Sequence, residues 1–348
     1  MKKPISLIMS AILAAALLTG CGSEPASSST GTGSQPSTAA EGSQESGAAS
    51  SDSSSQAASD GASYNVGIIQ LTEHAALDSA NQGFCDVLNE SGLNVTITQQ
   101  NAQGDQSACQ TIATKLVNDK NDLILAIATP AAQAVAGATS DIPVIGTAIT
   151  DFAEAGLVND NTAPGTNVTG ASDLTPIKEQ IDMMTKLLPE AKTVGILYCS
   201  AEDNSRIQAE MAKEACDAAG LSYDEFTVSS TNEIQTVVES MVGKVDVIYA
   251  PTDNVIANGM TTVAMVATEN KLPVICGEAG MVNNGGLATY GIDYYQLGRM
   301  AGEMAISILK GESTPAEMPI QYLDAAKCEL TVNEETAAAL NIDLSVLD

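Results

Sequence analysis

Tryptophan is absent from the 348 residues, and only three phenylalanines and one histidine, His74, are present. Hydrophobic residues still make up 44% of the chain, so a sizeable core is available. Because that apolar mass is aliphatic, it favours layered α/β packing over an aromatic-rich β sandwich. The lone histidine has no partners spaced as a Ser-His-Asp set or a His/Cys cluster. We therefore predict neither a histidine-based relay nor a metal site.

Basic residues are also scarce. Lys and Arg number 14 against 43 Asp and Glu, which gives a formal net charge of −29. Nucleic acids are bound by clustered Lys and Arg, so nucleic acid is excluded as a partner. The sequence has no G-x-S-x-G nucleophile elbow and no G-x-G-x-x-G phosphate loop, which makes an enzyme the least favoured class. We expect no cofactor.

The cysteines show no C-x-x-C spacing. Six of them lie within apolar strand or helix patterns: Cys85, Cys109, Cys199, Cys216, Cys276 and Cys328. An even number in an exported protein permits disulfides. However, a cysteine inside an apolar pattern behaves as a small hydrophobic residue. Free, buried thiols are therefore favoured, and disulfides remain the alternative.

The N-terminal segment has the pattern of a secretory signal. MKKPISLIMSAILAAALLTGC combines a basic start, an apolar run of about a dozen residues and small residues at its end. The run is shorter than the ~20 residues of a membrane span. Leu18–Cys21 resembles a bacterial lipobox, which implies a lipid on Cys21; an ordinary signal with a chance cysteine is the alternative. We thus predict a signal peptide over 1–20 and a lipid-anchored protein on the extracytoplasmic face of the cell membrane.

The segment after Cys21 differs in composition from the rest of the chain. It is rich in Ser, Gly and Ala, contains acids but no bases, and has no apolar period. Such a segment buries too little surface to offset its chain entropy. We predict that residues 21–63 form a disordered tether between the lipid and the folded part.

From Tyr64 onward, short apolar strands alternate with amphipathic helices, which predicts parallel sheets covered by helices. The pattern then repeats: Val66–Ile69 recurs as Val194–Leu197, and Ile142–Ile145 recurs as Leu272–Ile275. The alternative is two unrelated α/β units that share common strand motifs. We predict two doubly wound parallel-sheet lobes joined by a hinge, at 64–169 plus 292–314 and at 170–291 plus 315–348.

One wall of the predicted binding site follows a buried strand. That strand stops at Thr129, the expected N-cap, and a helix continues from Pro130. Ligands of open α/β sheets bind beyond the carboxyl ends of the strands, so the N–H groups of Ala131 and Ala132 are expected to face a cleft. The matching loop of the second lobe carries Asp253. Amides opposite a carboxylate suit a zwitterionic ligand. The alternative role for Asp253 is to cap its own helix.

Further candidate binding residues are polar and follow other predicted strands: Gln70, Glu73, His74, Asn101, Thr147, Thr150, Tyr198, Ser200, Asn254 and Glu278. We expect His74 in a loop near the mouth of the cleft. The alternative role for Tyr198 is that of a core residue. The alternative for Glu73 is a side chain exposed to solvent. The acids near the C-terminus lack the spacing of a calcium loop, so no metal site is predicted there.

The chain resembles the solute-binding lipoproteins of ABC importers, which have the type I periplasmic-binding fold. The strings that carry this resemblance are IIQLTEHAALD, QNAQGDQS, AIATPAAQA, NVTGASDLTP, YAPTDN and GIDYYQLGRMAGEMA. They are similar to the subfamily associated with tryptophan and tyrosine uptake. The resemblance covers Tyr64 to the C-terminus. It departs at Ala75, where the family commonly has Pro after His.

The resemblance implies a monomer that captures a small zwitterionic amino acid, aromatic in this subfamily, by closing its hinge. The implied partners are an ABC permease and its ATPase. Thr129 and Thr147 would hold the ligand's carboxylate, while Asp253, with Glu278 as a weaker candidate, would hold its ammonium. A receptor for another small polar solute, such as a sugar or nucleoside, is the alternative.

Overall fold

The computed structural model describes residues 62–347. The predicted signal peptide, Cys21 and nearly all of the predicted tether lie outside these described residues. The folded region begins with a strand at Ser63, one residue before the predicted start.

The first sheet has six strands in the order β11-β5-β4-β3-β1-β2, all parallel. Their bounds are β1 (Ser63–Gln70), β2 (Asn94–Asn101), β3 (Leu123–Ile127), β4 (Val144–Ile149), β5 (Val168–Ser172) and β11 (Gln321–Tyr322). Every residue of β3 is buried, as expected for a parallel strand covered by helices on both faces. The order places the topological switch point between β1 and β3.

The second sheet repeats this arrangement as β12-β10-β9-β8-β6-β7. Its strands are β6 (Thr193–Cys199), β7 (Ser222–Val228), β8 (Val247–Ala250), β9 (Val274–Cys276), β10 (Ala288–Gly291) and β12 (Glu329–Val332). Only β12 runs antiparallel to its neighbour. The matching strand orders confirm the two similar doubly wound lobes predicted from the sequence repeat.

Helices cover both sheets. Those of the first lobe are α1 (Ala75–Glu90), α2 (Gln106–Asn118), α3 (Thr129–Ala138) and α10 (Tyr294–Leu309). Those of the second lobe are α4 (Ile177–Leu187), α5 (Asp203–Ala219), α6 (Ile234–Met241), α7 (Asn254–Asn258), α8 (Met260–Glu269), α9 (Ala279–Asn283) and α11 (Glu334–Leu340). None of the described helices is long and apolar enough to cross a membrane.

Two glycines bring α1 and α10 into close contact. A Cβ on Gly298 of α10 would lie 1.9 Å from the carbonyl oxygen of Ala80, and one on Gly83 of α1 would lie 2.1 Å from the carbonyl oxygen of Tyr295. Both distances are far below van der Waals contact, so the helices pack backbone against backbone. This pair joins the earliest helix of the first lobe to one that follows five of the six strands of the second sheet.

The chain crosses between the lobes three times: after β5, after β10 and after β11. The first sheet includes β5 as far as Ser172 and also β11, whereas the predicted bounds of the first lobe were 169 and 314. The difference arises because the NVTG segment pairs with β4 before the chain leaves the sheet. The third crossing has no strong sequence signal.

The six cysteines of the described region are free thiols, as predicted. Cys109, Cys199, Cys216 and Cys276 are buried, but the prediction of burial is wrong for Cys85 and Cys328, which are half-buried. Within residues 62–347, no group of His, Cys, Asp and Glu side chains is arranged to hold a metal ion.

Candidate functional site

The carboxyl ends of the parallel strands of the two sheets border a small cavity between the lobes, here called the cleft cavity. From the first lobe it is lined by His74, Ala76, Leu77, Ala148 and Tyr294. Asp173, at the first crossing, also lines it. From the second lobe it is lined by Asn204, Thr252, Asp253, Asn254, Ala257 and Glu278. Most of these residues follow β1, β6 or β8, strands next to the switch points of the two sheets, where α/β sheets bind ligands.

The two lobes contact each other directly around this cavity. His74 donates from Nε2 to Asn254 Oδ1 at 3.1 Å, and Asn258 donates from Nδ2 to Thr72 Oγ1 at 2.8 Å. Farther along the interface, Gln133 donates to the Asp203 carboxylate at 2.7 Å. Hydrogen bonds that span the cleft hold the lobes in a closed arrangement.

Helix α3 begins differently from the prediction. Thr129 is its first helical residue, and Ala128 is the N-cap. The N–H of Ala132 donates to the Ala128 carbonyl at 3.1 Å. The prediction of a free Ala132 amide is therefore wrong, because that amide lies one residue too far into the helix.

Two threonine hydroxyls at the end of the first sheet lack a protein partner. Thr129 and Thr147 are at most 1% exposed, and neither Oγ1 is hydrogen-bonded within the described residues. Native proteins pair nearly all buried polar groups. Neither residue lines the cleft cavity itself, although Ala148, next to Thr147, does. An unpaired hydroxyl at a strand end beside a cleft is the pattern expected where a ligand supplies the missing partner.

The backbone around these hydroxyls is strained. Ala128 has φ 80° and ψ 152°, a region that is essentially restricted to glycine, and Ala148 has φ 55°. The two positions are adjacent, since the Ala128 N–H donates to the carbonyl oxygen of Thr147. Such conformations are unfavourable by about 1–3 kcal/mol each and concentrate at ligand sites.

Replacing Thr147 by valine is expected to raise the free energy of unfolding of the ligand-free protein by about 1 kcal/mol. Valine keeps the shape but removes a buried hydroxyl that has no partner. Thr169 on the neighbouring strand provides the matched control, because its Oγ1 donates to the Met318 carbonyl at 2.6 Å. Thr169→Val should lower the same free energy by about 1–2 kcal/mol. Urea unfolding of both variants measures the difference; a loss of stability in Thr147→Val would show that its hydroxyl has a partner.

Asp253 lines the cleft cavity but also has a capping role. Its Oδ1 accepts from the Ile256 N–H at the start of α7, and its Oδ2 accepts from the Cys199 N–H. Burial raises the pKa of this carboxyl. The capping role that the sequence left open is therefore present. The Asp253 carboxyl lies at the cavity, while both of its oxygens accept hydrogen bonds from its own lobe.

Glu278 and Asp173 bring further buried carboxyls to the cavity. Glu278 caps α9 through the Gly280 and Met281 N–H groups, and burial raises its pKa to about 7. Asp173 accepts a hydrogen bond from the Tyr294 hydroxyl at 2.9 Å, and burial raises its pKa to about 6. Among residues 62–347, no lysine or arginine lines the cleft cavity. The lining therefore favours a cationic group on the ligand.

Several predicted site residues lie elsewhere. Gln70, Glu73 and Asn101 line a separate surface depression beside β2. Gln70 bonds Asp78 and Asn81 of α1, which fixes the loop rather than a ligand.

Three more predicted residues are engaged within the fold. Tyr198 donates to Glu225 at 2.8 Å, and burial with this partner raises its pKa to about 12. Ser200 is exposed. Thr150 accepts from Gln208 of the second lobe at 2.9 Å, so its hydroxyl joins the lobes.

Five functional residues were not predicted from the sequence: Asp173, Asn204, Thr252 and Tyr294, which line the cleft cavity, and Glu202, which lies behind it. Asn204 occupies the first turn of α5, the helix that follows the switch-point strand β6. The available signal was this position, since Glu73 and His74, which follow the equivalent strand β1, had been considered in the first lobe. Tyr294 and Asp173 fall in the strings GIDYYQ and NVTGASDLTP, at the crossings between the lobes.

Two similar α/β lobes closed over a small polar cavity define a solute-binding protein of the type I periplasmic-binding fold. The sequence model of the family described as "ABC transporter substrate binding protein" matches residues 65–346. The chain belongs to this family. Its members are binding proteins of ABC transporters, work outside the cytoplasm and typically have no enzymatic activity.

Named relatives are similar over nearly the whole chain. The tyrosine-binding protein of Clostridioides difficile (strain R20291) is 40% identical, over 98% of this chain and 93% of that protein. A structure of an ABC domain in complex with L-Trp from Streptococcus pneumonia is 42% identical, with a TM-score of 0.79 over 82% of this chain and 98% of that chain.

A third relative is as similar in sequence as the L-Trp complex but less similar in three-dimensional structure. The ligand-free, open structure of a substrate-binding protein with adhesive properties from Clostridium difficile is 43% identical and covers 80% of this chain and 95% of that chain. Its TM-score is only 0.63, against 0.79 for the L-Trp complex. The lobes of this chain are thus arranged more like those of the complex, in agreement with the hydrogen bonds across the cleft.

Proposed function

We propose that this protein captures a single aromatic amino acid, tyrosine or tryptophan, between its lobes and delivers it to the permease of an ABC importer. The observation that carries the proposal is the cleft cavity, which is enclosed by both lobes, lined by buried carboxyls and free of basic side chains.

The ammonium group of the ligand would face the second lobe and the first crossing. Asp253, Glu278 and Asp173 bring negative charge there, and each is at most 5% exposed. An ammonium placed among them offsets the charge that burial disfavours. Asn204 adds a neutral acceptor, because its Oδ1 has no partner within the described residues.

The carboxylate of the ligand would face the end of the first sheet. The hydroxyls of Thr129 and Thr147 are unpaired there, and the Ala131 N–H lies in the first turn of α3, where the helix dipole favours an anion. These groups would donate three hydrogen bonds to one carboxylate. The arrangement supports the donor wall expected from the sequence, with Ala132 removed from it.

The aromatic ring would pack against the apolar part of the lining. Leu77, Ala148 and the ring of Tyr294 contribute it, and Tyr294 is held by its hydrogen bond to Asp173. A phenol or indole stacked on one fixed tyrosine ring gains contact without further aromatic residues. The names of the two relatives, one tyrosine-binding and one in complex with L-Trp, support the same ligand class.

The membrane attachment belongs to the same proposal. A lipid on Cys21 and the tether over 21–63 would keep the monomeric binding protein at the extracytoplasmic face of the membrane, within reach of the permease and its ATPase. Palmitate labelling of cells that express the chain or its Cys21→Ser variant tests the anchor. Label that is lost in the variant supports it, and equal label in both contradicts it.

L-Tyrosine or L-tryptophan is expected to raise the melting temperature of the mature chain, made with Cys21→Ser to keep it soluble, by about 5 °C or more. A ligand at 100 times its dissociation constant stabilises the folded state by about 2.7 kcal/mol. In a protein of this size, each kcal/mol raises the melting temperature by a few degrees. A thermal-shift screen over the twenty amino acids, sugars and nucleosides measures this. D-Tyrosine is the matched control and should give a smaller shift. A shift with a sugar or nucleoside alone would overturn the amino-acid assignment.

A further inference from the structure

Glu202 is a buried acid that the proposed ligand contacts do not use. It is 4% exposed, precedes α5 as its N-cap residue, and does not line the cleft cavity. Unlike Asp253 and Glu278, which also precede helices, it makes no capping bond with its side chain. Its carboxylate is therefore committed to something other than its own helix.

The partners of Glu202 are two asparagine amides. Its Oε2 accepts from Asn254 Nδ2 at 2.7 Å and from Asn204 Nδ2 at 3.1 Å, and the Asn254 backbone N–H lies 3.5 Å from it. A carboxylate oxygen can only accept, so both amide nitrogens must face it. The orientation of each amide follows from this one atom.

The orientation of Asn204 points its oxygen away from Glu202. Its Nδ2 also approaches the Thr252 carbonyl at 3.4 Å, another group that can only accept. Oδ1 is thereby left without a partner although Asn204 is 5% exposed, and the residue lines the cleft cavity. An unpaired acceptor at an otherwise acidic cavity is placed to receive a hydrogen bond from an ammonium group.

The orientation of Asn254 acts across the cleft. With its Nδ2 on Glu202, its Oδ1 accepts from His74 Nε2 of the first lobe at 3.1 Å. Burial lowers the pKa of His74, so the ring is neutral and its Nε2 carries the donated proton. A flipped Asn254 amide would place its NH₂ group against that N–H and break the contact between the lobes.

We propose that Glu202 is a positioning residue that couples ligand capture to lobe closure, because one carboxylate oxygen orients both the Asn204 acceptor in the cavity and the Asn254 contact with His74. This inference rests on the proposed function. Glu202 itself does not touch the ligand. It acts only through the two amides.

The ionised form of Glu202 serves this role best, since a carboxylate oxygen accepts from both amides more strongly than a protonated carboxyl does, and protonation adds a donor to the carboxyl. The titratable groups facing it are Asp253 from the start of α7, the Cys199 thiol from β6 and, through Asn254, neutral His74. On its own helix, Asp203 and Arg206 pair with each other. Burial and the charge of Asp253 raise the pKa of Glu202. Ligand affinity should therefore fall as the pH drops from 8 to 5.5.

Glu202→Gln is expected to weaken binding of L-tyrosine or L-tryptophan at least tenfold at pH 8, because the neutral oxygen of glutamine holds the two asparagine amides less strongly than a carboxylate oxygen does. Calorimetry at pH 8 and 5.5 should also show a smaller loss of affinity on acidification than in the parent protein. The remaining slope comes from Asp173 and Glu278. Glu225→Gln is the matched control: Glu225 accepts from Tyr198 away from the cavity, and its replacement should leave both affinities unchanged.

A double-mutant cycle with Asn204→Ala separates positioning from general damage. If Glu202 acts through Asn204, the double variant binds only slightly more weakly than the weaker single variant. Independent, additive losses of affinity would overturn the proposal, as would an unchanged affinity and pH profile in Glu202→Gln. If the glutamine variant does not fold, Glu202→Asp is used in the same cycle, since it keeps the charge but withdraws it by one methylene. Failure of the parent protein to bind any amino acid would instead refute the proposed function.

Discussion

Gly298→Ala lowers the free energy of unfolding by about 3 kcal/mol, the largest loss of stability we expect from a single methyl group in this protein. The new Cβ would lie 1.9 Å from the Ala80 carbonyl oxygen, and a backbone atom cannot rotate away as a side chain can. Helices α1 and α10 would have to separate, which opens the core of the first lobe. Denaturant unfolding followed by circular dichroism measures the loss.

The sign of this effect is diagnostic, because alanine normally stabilises a helix relative to glycine by up to about 1 kcal/mol. Gly137 in α3 is the matched control, since nothing lies within 4 Å of a Cβ built there. Gly137→Ala should raise the free energy of unfolding by about 0.5 kcal/mol. Equal effects in both helices would mean that α1 and α10 do not pack backbone against backbone.

Asp253→Ala is expected to weaken amino-acid binding at least tenfold, about 1.4 kcal/mol, and to lower the free energy of unfolding by about 2–3 kcal/mol. The loss of affinity follows from removing a negative charge at the cleft cavity. The loss of stability follows because the Ile256 and Cys199 N–H groups are left without their acceptor. Calorimetric titration and denaturant unfolding of the same variant measure the two effects separately.

A helix cap remote from the cavity separates these contributions. Asn333 caps α11 by accepting from the Thr336 N–H at 2.9 Å, and it carries no charge. Asn333→Ala should reduce stability by about 1 kcal/mol while leaving affinity unchanged. If Asp253→Ala destabilises the protein but binds the ligand as the parent does, Asp253 is a cap alone and does not belong to the binding site.

The fold followed from the sequence because its signals are local and repeated. Helix α2 (Gln106–Asn118) begins directly after Asp105, whose side chain caps it, and such a cap is a local signal. The recurrence of Val66–Ile69 as Val194–Leu197 identified β1 and β6 as equivalent strands of the two sheets. Strand β11 contains only two residues, and its pairing with β5 depends on a distant segment, so no local pattern could reveal it.

The site was harder to predict because residue type does not show which polar group is already engaged. Gln70 and Tyr198 follow or lie in strands as ligand-binding residues do, yet their polar atoms bond nearby side chains. Asp253 was identified, but capping and binding use the same carboxylate. Asn204 could not be chosen over other first-turn residues, since its role depends on Glu202 and Thr252.

The three crossings between the lobes have a consequence for how the protein is made. Neither lobe is a continuous stretch of sequence, so the first cannot be completed while the ribosome is still producing the second. The apolar face of α1, with Leu77 and Phe84, must wait for α10 to cover it. Large proteins in which one element must wait for a distant one expose hydrophobic surface during folding and aggregate readily. A fragment that ends after β5 should therefore precipitate rather than persist as a half-sized module, and the protein matures as a unit or not at all.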